Sequence, residues 1–310
     1  MRNPMPGVRP VKAGWYNVFR PWTLHGAVVP ILIGGVVALH DGVFDLPIFL
    51  LVLAGGILLQ SAANILNTYG DFKKGVDTVE NEVRSPELVT GKLKPKSVLK
   101  AGAACIGAVC LIGIVLLLHA GWPILVYGVL GVIGAGTYTV CGSYKYLGLG
   151  QASVFLMMGL LMPLGTYCAM SGELFCLEVL LLSLPNAFMI TAVLAGNEMR
   201  DYDEDRRSGV GTLSQHLSYE NGMRLYLFEN IVAFPLLAAL IALGCAPLCT
   251  ALAFLTLYDL LRLVQNSRLA PADAHAGFML VPLAFKLNWH FGVLLTAGYL
   301  IQYYALPLVM

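Results

Sequence analysis

Long apolar runs dominate this chain of 310 residues and limit the folds it can adopt. A helix of ~20 apolar residues crosses the ~30 Å hydrocarbon core of a bilayer, and only 12% of the residues are charged. Strands are disfavoured because lipid-exposed backbone must satisfy its own hydrogen bonds. We therefore expect an all-α polytopic membrane protein, with about nine transmembrane helices around a central cavity. The predicted spans are 23–40, 46–66, 98–118, 122–141, 151–170, 175–196, 224–243, 245–262 and 283–305.

Basic residues lie on only one side of the predicted spans. All 19 Lys and Arg residues fall in the amino-terminal tail or in and beside every second connection. The opposite connections, near 41–45, 119–122, 171–174 and 244–246, carry none. Because Lys and Arg mark the cytoplasmic side of a membrane protein, we expect a cytoplasmic amino terminus and cytoplasmic polar loops at about 67–96 and 197–222. The membrane is interpreted as a bacterial inner membrane.

Nothing in the sequence divides the chain into parts. No low-complexity linker interrupts the series of spans, so we expect a single domain over 1–310. The seven cysteines lie in or beside apolar helices and form no C-x-x-C pair, which favours buried thiols over a metal or disulfide role.

Two acidic clusters interrupt the apolar pattern, and both begin with Asn-x-x-x-Asp at the end of an apolar helix. Residues four apart share a helix face. This predicts two polar faces, one formed by Asn67 and Asp71 and the other by Asn197, Asp201 and Asp205. Beyond Asp71, Gly75 allows the chain to turn and to bring Asp77 back to the first face.

We call each of these two polar faces, together with the turn or helix end that follows it, a corner. The side chains of both corners supply oxygen atoms, which suit a hard cation. Carboxylates at membrane depth or at its surface are costly unless they meet cations, and Mg²⁺ is usually bound by one or two carboxylates together with substrate phosphates. Two such corners would flank one pyrophosphate. A solvated loop with Asn and Asp capping helix ends would explain one cluster, but two of matching spacing in a chain with only 18 acidic residues favour the metal site.

Two other classes of protein remain alternatives at this point. An ion-coupled transporter would place carboxylates within interrupted helices near the middle of the membrane, whereas these lie at predicted cytoplasmic helix ends beside Lys and Arg. A non-catalytic lipid-binding scaffold would leave the doubled ligand set without a purpose.

The motifs resemble those of a known family. Asn67-x-x-x-Asp71 with Asp77, and Asn197-x-x-Arg200-Asp201-x-x-x-Asp205, are similar to the paired aspartate-rich motifs of the UbiA superfamily of intramembrane prenyltransferases. Three further segments look most like the branch that prenylates 1,4-dihydroxy-2-naphthoate in menaquinone synthesis: 20–24 (Arg-Pro-Trp-Thr-Leu), 88–93 (Leu-Val-Thr-Gly-Lys-Leu) and 145–150 (Lys-Tyr-Leu-Gly-Leu-Gly). The resemblance runs from about residue 15 to 305.

The resemblance implies a reaction and a set of residue roles. A polyprenyl group would pass from a polyprenyl diphosphate to an aromatic acceptor with Mg²⁺ as cofactor; with dihydroxynaphthoate, loss of CO₂ gives demethylmenaquinone. Membrane lipid surrounds the enzyme, and no nucleic acid takes part. The implied metal ligands are Asp71, Asp77, Asp201 and Asp205; the implied substrate-binding residues are Asn67, Asn197, Lys73 and Tyr146; and the implied charge-stabilising catalytic residues are Arg84, Lys145 and Arg200. For each basic residue, a positive-inside or membrane-anchoring role alone is the alternative.

Two positions depart from the pattern of the family. Thr68 stands where many members have Asp, and Gln151 stands where the naphthoate branch commonly has Glu. Gln151 keeps other acceptors open: 4-hydroxybenzoate, homogentisate, a tetrapyrrole or a lipid alcohol. The Gly75-Val76-Asp77 spacing and the Lys-Tyr-Leu-Gly-Leu-Gly segment argue against 4-hydroxybenzoate.

Overall fold

The computed structural model describes residues 13–75, 77, 86–137, 147–209 and 211–305, and these ranges contain helices and no strand. The α-helices are α1 (Trp15–Phe19), α2 (His25–His40), α3 (Leu46–Lys73), α4 (Pro86–Val89), α5 (Pro95–Ala120), α6 (Pro123–Thr137), α7 (Gly150–Val154), α8 (Met162–Ser171), α9 (Leu177–Arg200), α10 (Tyr202–Ser208), α11 (Leu213–His216), α12 (Tyr219–Ala242), α13 (Leu257–Leu269) and α14 (Ala274–Leu300). Pro21–Thr23 and Leu248–Thr256 are 3-10 helices, and Phe155–Leu161 and Ile301–Ala305 are π-helices.

Within the described ranges, eight helical stretches are long and apolar enough to cross a membrane. They are Trp15–His40, Leu46–Lys73, Pro95–Ala120, Gly150–Ser171, Leu177–Arg200, Tyr219–Ala242, Leu248–Leu269 and Ala274–Ala305. The predicted span at 122–141 corresponds to α6, which has 15 residues in the described part of the chain. The all-α, polytopic prediction is confirmed, and nine spans is an approximate count.

The last span begins at Ala274 and not at 283 as predicted. Three polar residues in the first half of the predicted run 283–305 are accommodated inside α14, because each has a partner on another helix. Asn288 donates its amide to Asn186 of α9 at 2.7 Å. Lys286 and His290 both contact Asp259 of α13.

The helix that carries the second acidic motif is the best-packed span, whereas the helix that carries the first is peripheral. The most apolar window of α9 is 72% buried, against 22% for α3. Helix α9 packs against α2, α12 and α14 within the main hydrophobic core. Helix α3 packs against α2, α5, α6 and α8, and its carboxy-terminal half contributes to a smaller cluster formed by Val18, Ala62, Ile65, Leu88, Val98 and Cys105.

Glycines allow two pairs of helices to pack with their backbones in contact. A Cβ on Gly34 would lie 2.3 Å from the carbonyl oxygen of Pro163, where α2 meets α8. A Cβ on Gly298 would lie 2.2 Å from the carbonyl oxygen of Cys249, where α14 meets the long 3-10 helix. Small residues at such crossings allow the close approach by which membrane helices associate.

Candidate active site

The first corner lies at the end of α3. The amide nitrogen Nδ2 of Asn67 donates to Oδ2 of Asp71 at 2.9 Å, so the two side chains share a face as their spacing predicts. Asp71 is only 7% exposed. A buried carboxylate that already accepts a hydrogen bond is held in one orientation, which is what a metal ligand requires.

A tight turn after α3 returns the chain to Asp71. Gly75 has φ 72°, in the left-handed region that glycine adopts without strain. Its N–H donates to the carbonyl of Phe72 at 3.1 Å, and the N–H of Asp77 then donates to the carbonyl of Asp71 at 3.4 Å. The turn expected from Gly75 is therefore present, and the backbones of Asp71 and Asp77 are hydrogen-bonded.

Asn64, one turn before Asn67, joins the first corner to the broken start of the first span. The break is at Arg20, which has φ 50° between α1 and the following 3-10 helix. The side-chain amide of Asn64 donates to the carbonyl of Phe19 at 3.0 Å and to the hydroxyl of Thr23 at 2.9 Å. Sequence reasoning identified the Arg-Pro-Trp-Thr-Leu segment but missed Asn64, whose partners are more than forty residues away.

The side chain of Thr68 bonds to the backbone of its own helix, and Thr68 is not one of the predicted metal ligands. Its hydroxyl donates to the carbonyl of Asn64 at 3.1 Å, and the side chain is buried. The departure from the family pattern at this position therefore leaves Asn67, Asp71 and Asp77 in place.

Glu87 joins α4 to the chain just before α1. It is buried in α4, just before the Leu-Val-Thr-Gly segment, and its Oε1 accepts the N–H of Gly14 at 3.4 Å. Its carbonyl accepts the N–H of Leu93 at 2.9 Å. Helices α1, α3 and α4 pack on one another; α1 comes directly before the Arg-Pro-Trp-Thr-Leu segment, and α4 contains the start of the Leu-Val-Thr-Gly segment.

The second corner is built on a broken helix. Helix α9 ends at Arg200, Asp201 leaves helical geometry with φ −95° and ψ 5°, and α10 begins at the next residue. The hydrogen-bond spacing nevertheless continues: Asp201 N–H donates to the carbonyl of Asn197 at 3.0 Å, and Asp205 N–H donates to the carbonyl of Asp201 at 2.9 Å. The backbone series from Asn197 through Asp201 to Asp205 thus survives the break.

Arg200 is paired with its neighbour in sequence. Its Nε donates to Oδ1 of Asp201 at 2.7 Å and its Nη2 donates to Oδ2 at 2.9 Å, and both side chains are partly buried. Such a bidentate guanidinium–carboxylate pair fixes the plane of the carboxylate. Any contact of Arg200 with a diphosphate would be shared with Asp201.

Glu198 is a buried carboxylate of the second motif to which the sequence assigned no role, and its hydrogen bonds support the second corner. Oε2 of Glu198 accepts three hydrogen bonds: from Gln151 Nε2 at 2.8 Å, from the Ser214 N–H at 3.1 Å and from the Ser214 hydroxyl at 2.8 Å. All three residues are buried. Gln151, where the naphthoate branch commonly has Glu, is therefore bonded to a carboxylate supplied by the second motif.

A second carboxylate lies close to this group. Glu229 of α12 is buried and within electrostatic range of Glu198. Among the described residues, its Oε2 has no hydrogen-bond partner, and the same holds for Oε1 of Gln151 and the hydroxyl of Thr212. An acidic residue inside the apolar run 224–243 was the available sequence signal, because such residues in spans mark functional polar sites.

For the other predicted site residues, the structure gives only the exposure of two and does not describe three. Lys73 is exposed at the end of α3, and Asn197 is half-buried. Arg84, Lys145 and Tyr146 lie outside the described residues, so their predicted roles remain predictions.

The oxygen-rich donor set suits Mg²⁺. Four Asp carboxylates and two Asn amides are all hard oxygen ligands, and the buried, pre-oriented Asp71 fits a metal site. No three His, Cys, Asp or Glu side chains in the described ranges are already grouped as a closed metal site. Mg²⁺ held by these residues would complete its coordination with substrate phosphates and water.

The sequence profile of the UbiA prenyltransferase family matches residues 27–289 of the chain. The chain is 28% identical over 302 residues to 1,4-dihydroxy-2-naphthoate octaprenyltransferase of Bacillus subtilis (strain 168), covering 93% of each protein. It is 32% identical over 219 residues to the Escherichia coli (strain K12) protein of the same name, covering 68% of this chain and 71% of that one.

The fold is similar to that of a solved UbiA homologue from Archaeoglobus fulgidus, bound to GPP and Mg²⁺. The TM-score is 0.63 at 14% identity, and the match covers 91% of this chain and 99% of the other. At this identity the likeness supports the helical membrane fold.

Proposed function

Because the chain belongs to the UbiA prenyltransferase family, we propose that it transfers a polyprenyl group from a polyprenyl diphosphate to 1,4-dihydroxy-2-naphthoate, with decarboxylation to the hydroquinone form of demethylmenaquinone. The protein is a prenyltransferase, and it carries the helices of an integral membrane protein. The observation that carries the proposed chemistry is the pair of Asn-x-x-x-Asp corners, each with an Asp already held by a neighbouring side chain.

In this proposal each corner binds one side of the diphosphate through Mg²⁺. Asp71, Asp77, Asp201 and Asp205 would hold the ions, which neutralise the leaving pyrophosphate as the allylic C–O bond breaks. Asn67 orients Asp71, and Arg200 orients Asp201. An aromatic carbon of the acceptor then takes the prenyl group, and its carboxylate leaves as CO₂. Apolar helices around the site keep water from the cation.

Two observations support dihydroxynaphthoate as the acceptor. Both relatives named for that acceptor match over two thirds or more of their length. The position at which Gln151 departs from the branch is also bonded to Glu198, which keeps a carboxylate in the same neighbourhood.

A direct assay tests this proposal. Purified protein in detergent would be incubated with Mg²⁺, a polyprenyl diphosphate and either carboxyl-labelled dihydroxynaphthoate or carboxyl-labelled 4-hydroxybenzoate, and the products identified by mass. We expect one labelled CO₂ per prenylated naphthoate and no turnover after chelation of the metal. Efficient prenylation of 4-hydroxybenzoate with its label retained, and none of the naphthoate, would contradict the proposed acceptor. It would leave the proposed role of the two corners in binding Mg²⁺ unaffected.

We also propose that both corners face the cytoplasm of a bacterial cell. In the sequence, the basic residues fall in the amino-terminal tail and in or beside the connections predicted to lie on that side, although Lys286 lies inside α14. In a cysteine-free background, Thr90→Cys should react with an impermeant thiol reagent only after the inner membrane is opened, whereas Glu173→Cys should react in intact spheroplasts. Labelling of both from the same side would contradict this orientation.

A further inference from the structure

A charged triad lies between α13 and α14, away from both corners. Asp259 contacts Lys286 Nζ through Oδ1 at 2.9 Å and His290 Nδ1 through Oδ2 at 2.6 Å. The Lys286 and His290 side chains are each 43% exposed, against 11% for Asp259. Ionisable groups inside membrane spans are rare and mark functional sites, and the prenyl-transfer chemistry does not use this triad.

The triad lies within the hydrocarbon core and not at the level of the diphosphate. With rises of ~2.0 Å per residue in a 3-10 helix and ~1.5 Å in an α-helix, Asp259 is roughly 20 Å from the outer end of its span at Leu248. On the same reckoning Asp71 and Asp201 are roughly 36–38 Å from the outer ends of α3 and α9. The triad is therefore roughly 15 Å deeper in the membrane than the metal corners.

Beside the triad the surface forms a groove with a polar part and an apolar part. The polar part has a volume of about 280 Å³ and is lined by residues that include Leu255, Thr256, Asp259, Trp289, His290 and Leu294. The apolar part, of about 520 Å³, is lined by Leu248, Cys249, Ala251, Leu252, Leu255 and Ile301. Leu255 belongs to both, so the two parts adjoin. We call them together the α13–α14 groove.

The long 3-10 helix shapes this groove. Leu248–Thr256 forms nine residues of 3-10 helix, whereas runs of more than three or four are uncommon and often mark functional segments. Its hydroxyls are satisfied locally, since Thr250 donates to the carbonyl of Pro247 and Thr256 to that of Ala253. The opposite wall is fixed because Gly298 touches the backbone of Cys249.

We propose that the α13–α14 groove binds the prenylated product, an uncharged quinone or hydroquinone with an isoprenoid chain, as it leaves the enzyme. This inference rests on the proposed function for the identity of the ligand. Asp259 and Lys286 cancel in charge, which suits an uncharged head. His290 lines the polar part and has Nε2 beyond the Nδ1 that contacts Asp259, and Lys286, which contacts the other carboxylate oxygen of Asp259, adds N–H donors beside it. These groups can bond the oxygens of a quinone ring, and the apolar part takes the chain.

The depth of the groove favours this ligand over a phospholipid. Anionic lipid headgroups stay at the membrane surface, where basic residues recruit them. A phosphate would have to enter the hydrocarbon core to reach Lys286 and would then lie beside the carboxylate of Asp259. A neutral ring on an isoprenoid chain is itself soluble in that layer.

Trp289 connects the groove with the helix interior. Its indole lines the polar part of the groove, and it lies 5.7 Å from the ring of His25 on α2 in an edge-on contact. The same side chain is thus a wall of the groove and a neighbour of the first span. It also provides a reporter, because quinones quench indole fluorescence on contact.

The test uses Trp289 as the sole tryptophan, with Trp15, Trp22 and Trp122 replaced by Phe. The probe is a 1,4-naphthoquinone carrying a geranyl chain, added to full-length protein in nanodiscs without diphosphate. We expect saturable quenching, weakened at least ten-fold by His290→Leu or Lys286→Met and also by omission of the chain from the probe. The matched control keeps Trp122 alone, which is 66% exposed far from the groove, and should show only linear quenching.

The outcomes separate this inference from the proposed function. Linear quenching at Trp289 would contradict product binding in the groove, even where prenyl transfer is intact. The same holds for saturable quenching that neither substitution changes, provided that the variants keep the wild-type melting temperature. If the naphthoate is not prenylated but a geranylated benzoquinone saturates the Trp289 signal, the proposed acceptor is wrong and the groove still binds a prenylated quinone.

Discussion

The two acidic corners begin with the same Asn-x-x-x-Asp spacing, yet they are built and supported differently. At the first, an unbroken helix places Asn67 on Asp71, and Gly75 turns the chain back. At the second, the helix breaks at Asp201, which Arg200 holds through two hydrogen bonds. An amide orients one carboxylate and a guanidinium the other. The comparison shows that a repeated Asn-x-x-x-Asp spacing does not by itself specify the local structure around it.

The supports behind the corners differ in the same way. The first corner rests on a peripheral helix, clamped by Asn64 to the broken start of the chain. The second rests on the best-buried helix and on the three hydrogen bonds to Glu198. Loss of support at the first should therefore affect mainly activity. Loss of support at the second should lower both activity and the free energy of unfolding.

The strongest test of the comparison is removal of one carboxylate from each corner. Asp71→Ala and Asp201→Ala should each lower kcat/KM by at least about 100-fold, ~2.7 kcal/mol in transition-state stabilisation, because each removes an oxygen ligand that no neighbour replaces in the same direction. Asp203→Ala, an exposed carboxylate of α10, is the matched control and should keep most of the activity. If both ligand variants keep more than a tenth of the wild-type rate, the corners do not form the metal site.

The second prediction concerns Arg200, whose guanidinium pairs with Asp201 at the second corner. Arg200→Ala should lower kcat/KM about 10- to 100-fold, because Asp201 loses both of its charge-assisted hydrogen bonds from that side chain. Arg200→Lys should recover little, since an ammonium cannot reproduce the bidentate geometry. The assay is steady-state kinetics at varied Mg²⁺. Full rescue by lysine would mean that Arg200 acts only as a positive charge.

The third prediction addresses the support of the second corner. Gln151→Glu should lower stability by about 2–3 kcal/mol, because it places a further carboxylate against Glu198 in a buried site. Adding Glu198→Gln should recover much of that loss, since one amide and one carboxylate then face each other again. Melting temperatures of the single and double variants in detergent measure the coupling. Purely additive losses would show that the two side chains act independently.

The smallest effect is expected at the support of the first corner. Asn64→Ala should raise KM for the diphosphate by up to about ten-fold with little change in melting temperature, because the clamp to Phe19 and Thr23 is lost while Asp71 keeps Asn67. Ser61→Ala, one turn earlier on α3, breaks only a bond to its own helix and is the control. A drop in melting temperature as large as that of Gln151→Glu would contradict the proposed difference between the two supports.

Much of the fold could be read from local pattern. Apolar length located the spans, because the thickness of a bilayer sets the length of a helix that crosses it. The shared face of Asn67 and Asp71 and the turn at Gly75 also follow from a few neighbouring residues. These features depend on helical periodicity and on glycine geometry, which act over less than two turns of chain.

What the sequence alone could not determine is which polar residues meet across helices. It began the last span at 283, whereas the helix begins at Ala274. It also could not show that Asn288 within this span has a partner, because Asn186 is 102 residues away. It assigned no role to Glu198, whose partner Gln151 is 47 residues away. A buried polar group must find a hydrogen bond, but which group supplies it depends on how the helices pack. Apolar spans and candidate ligand residues can therefore be predicted along the chain, and the partners that orient these residues are decided only by the tertiary structure.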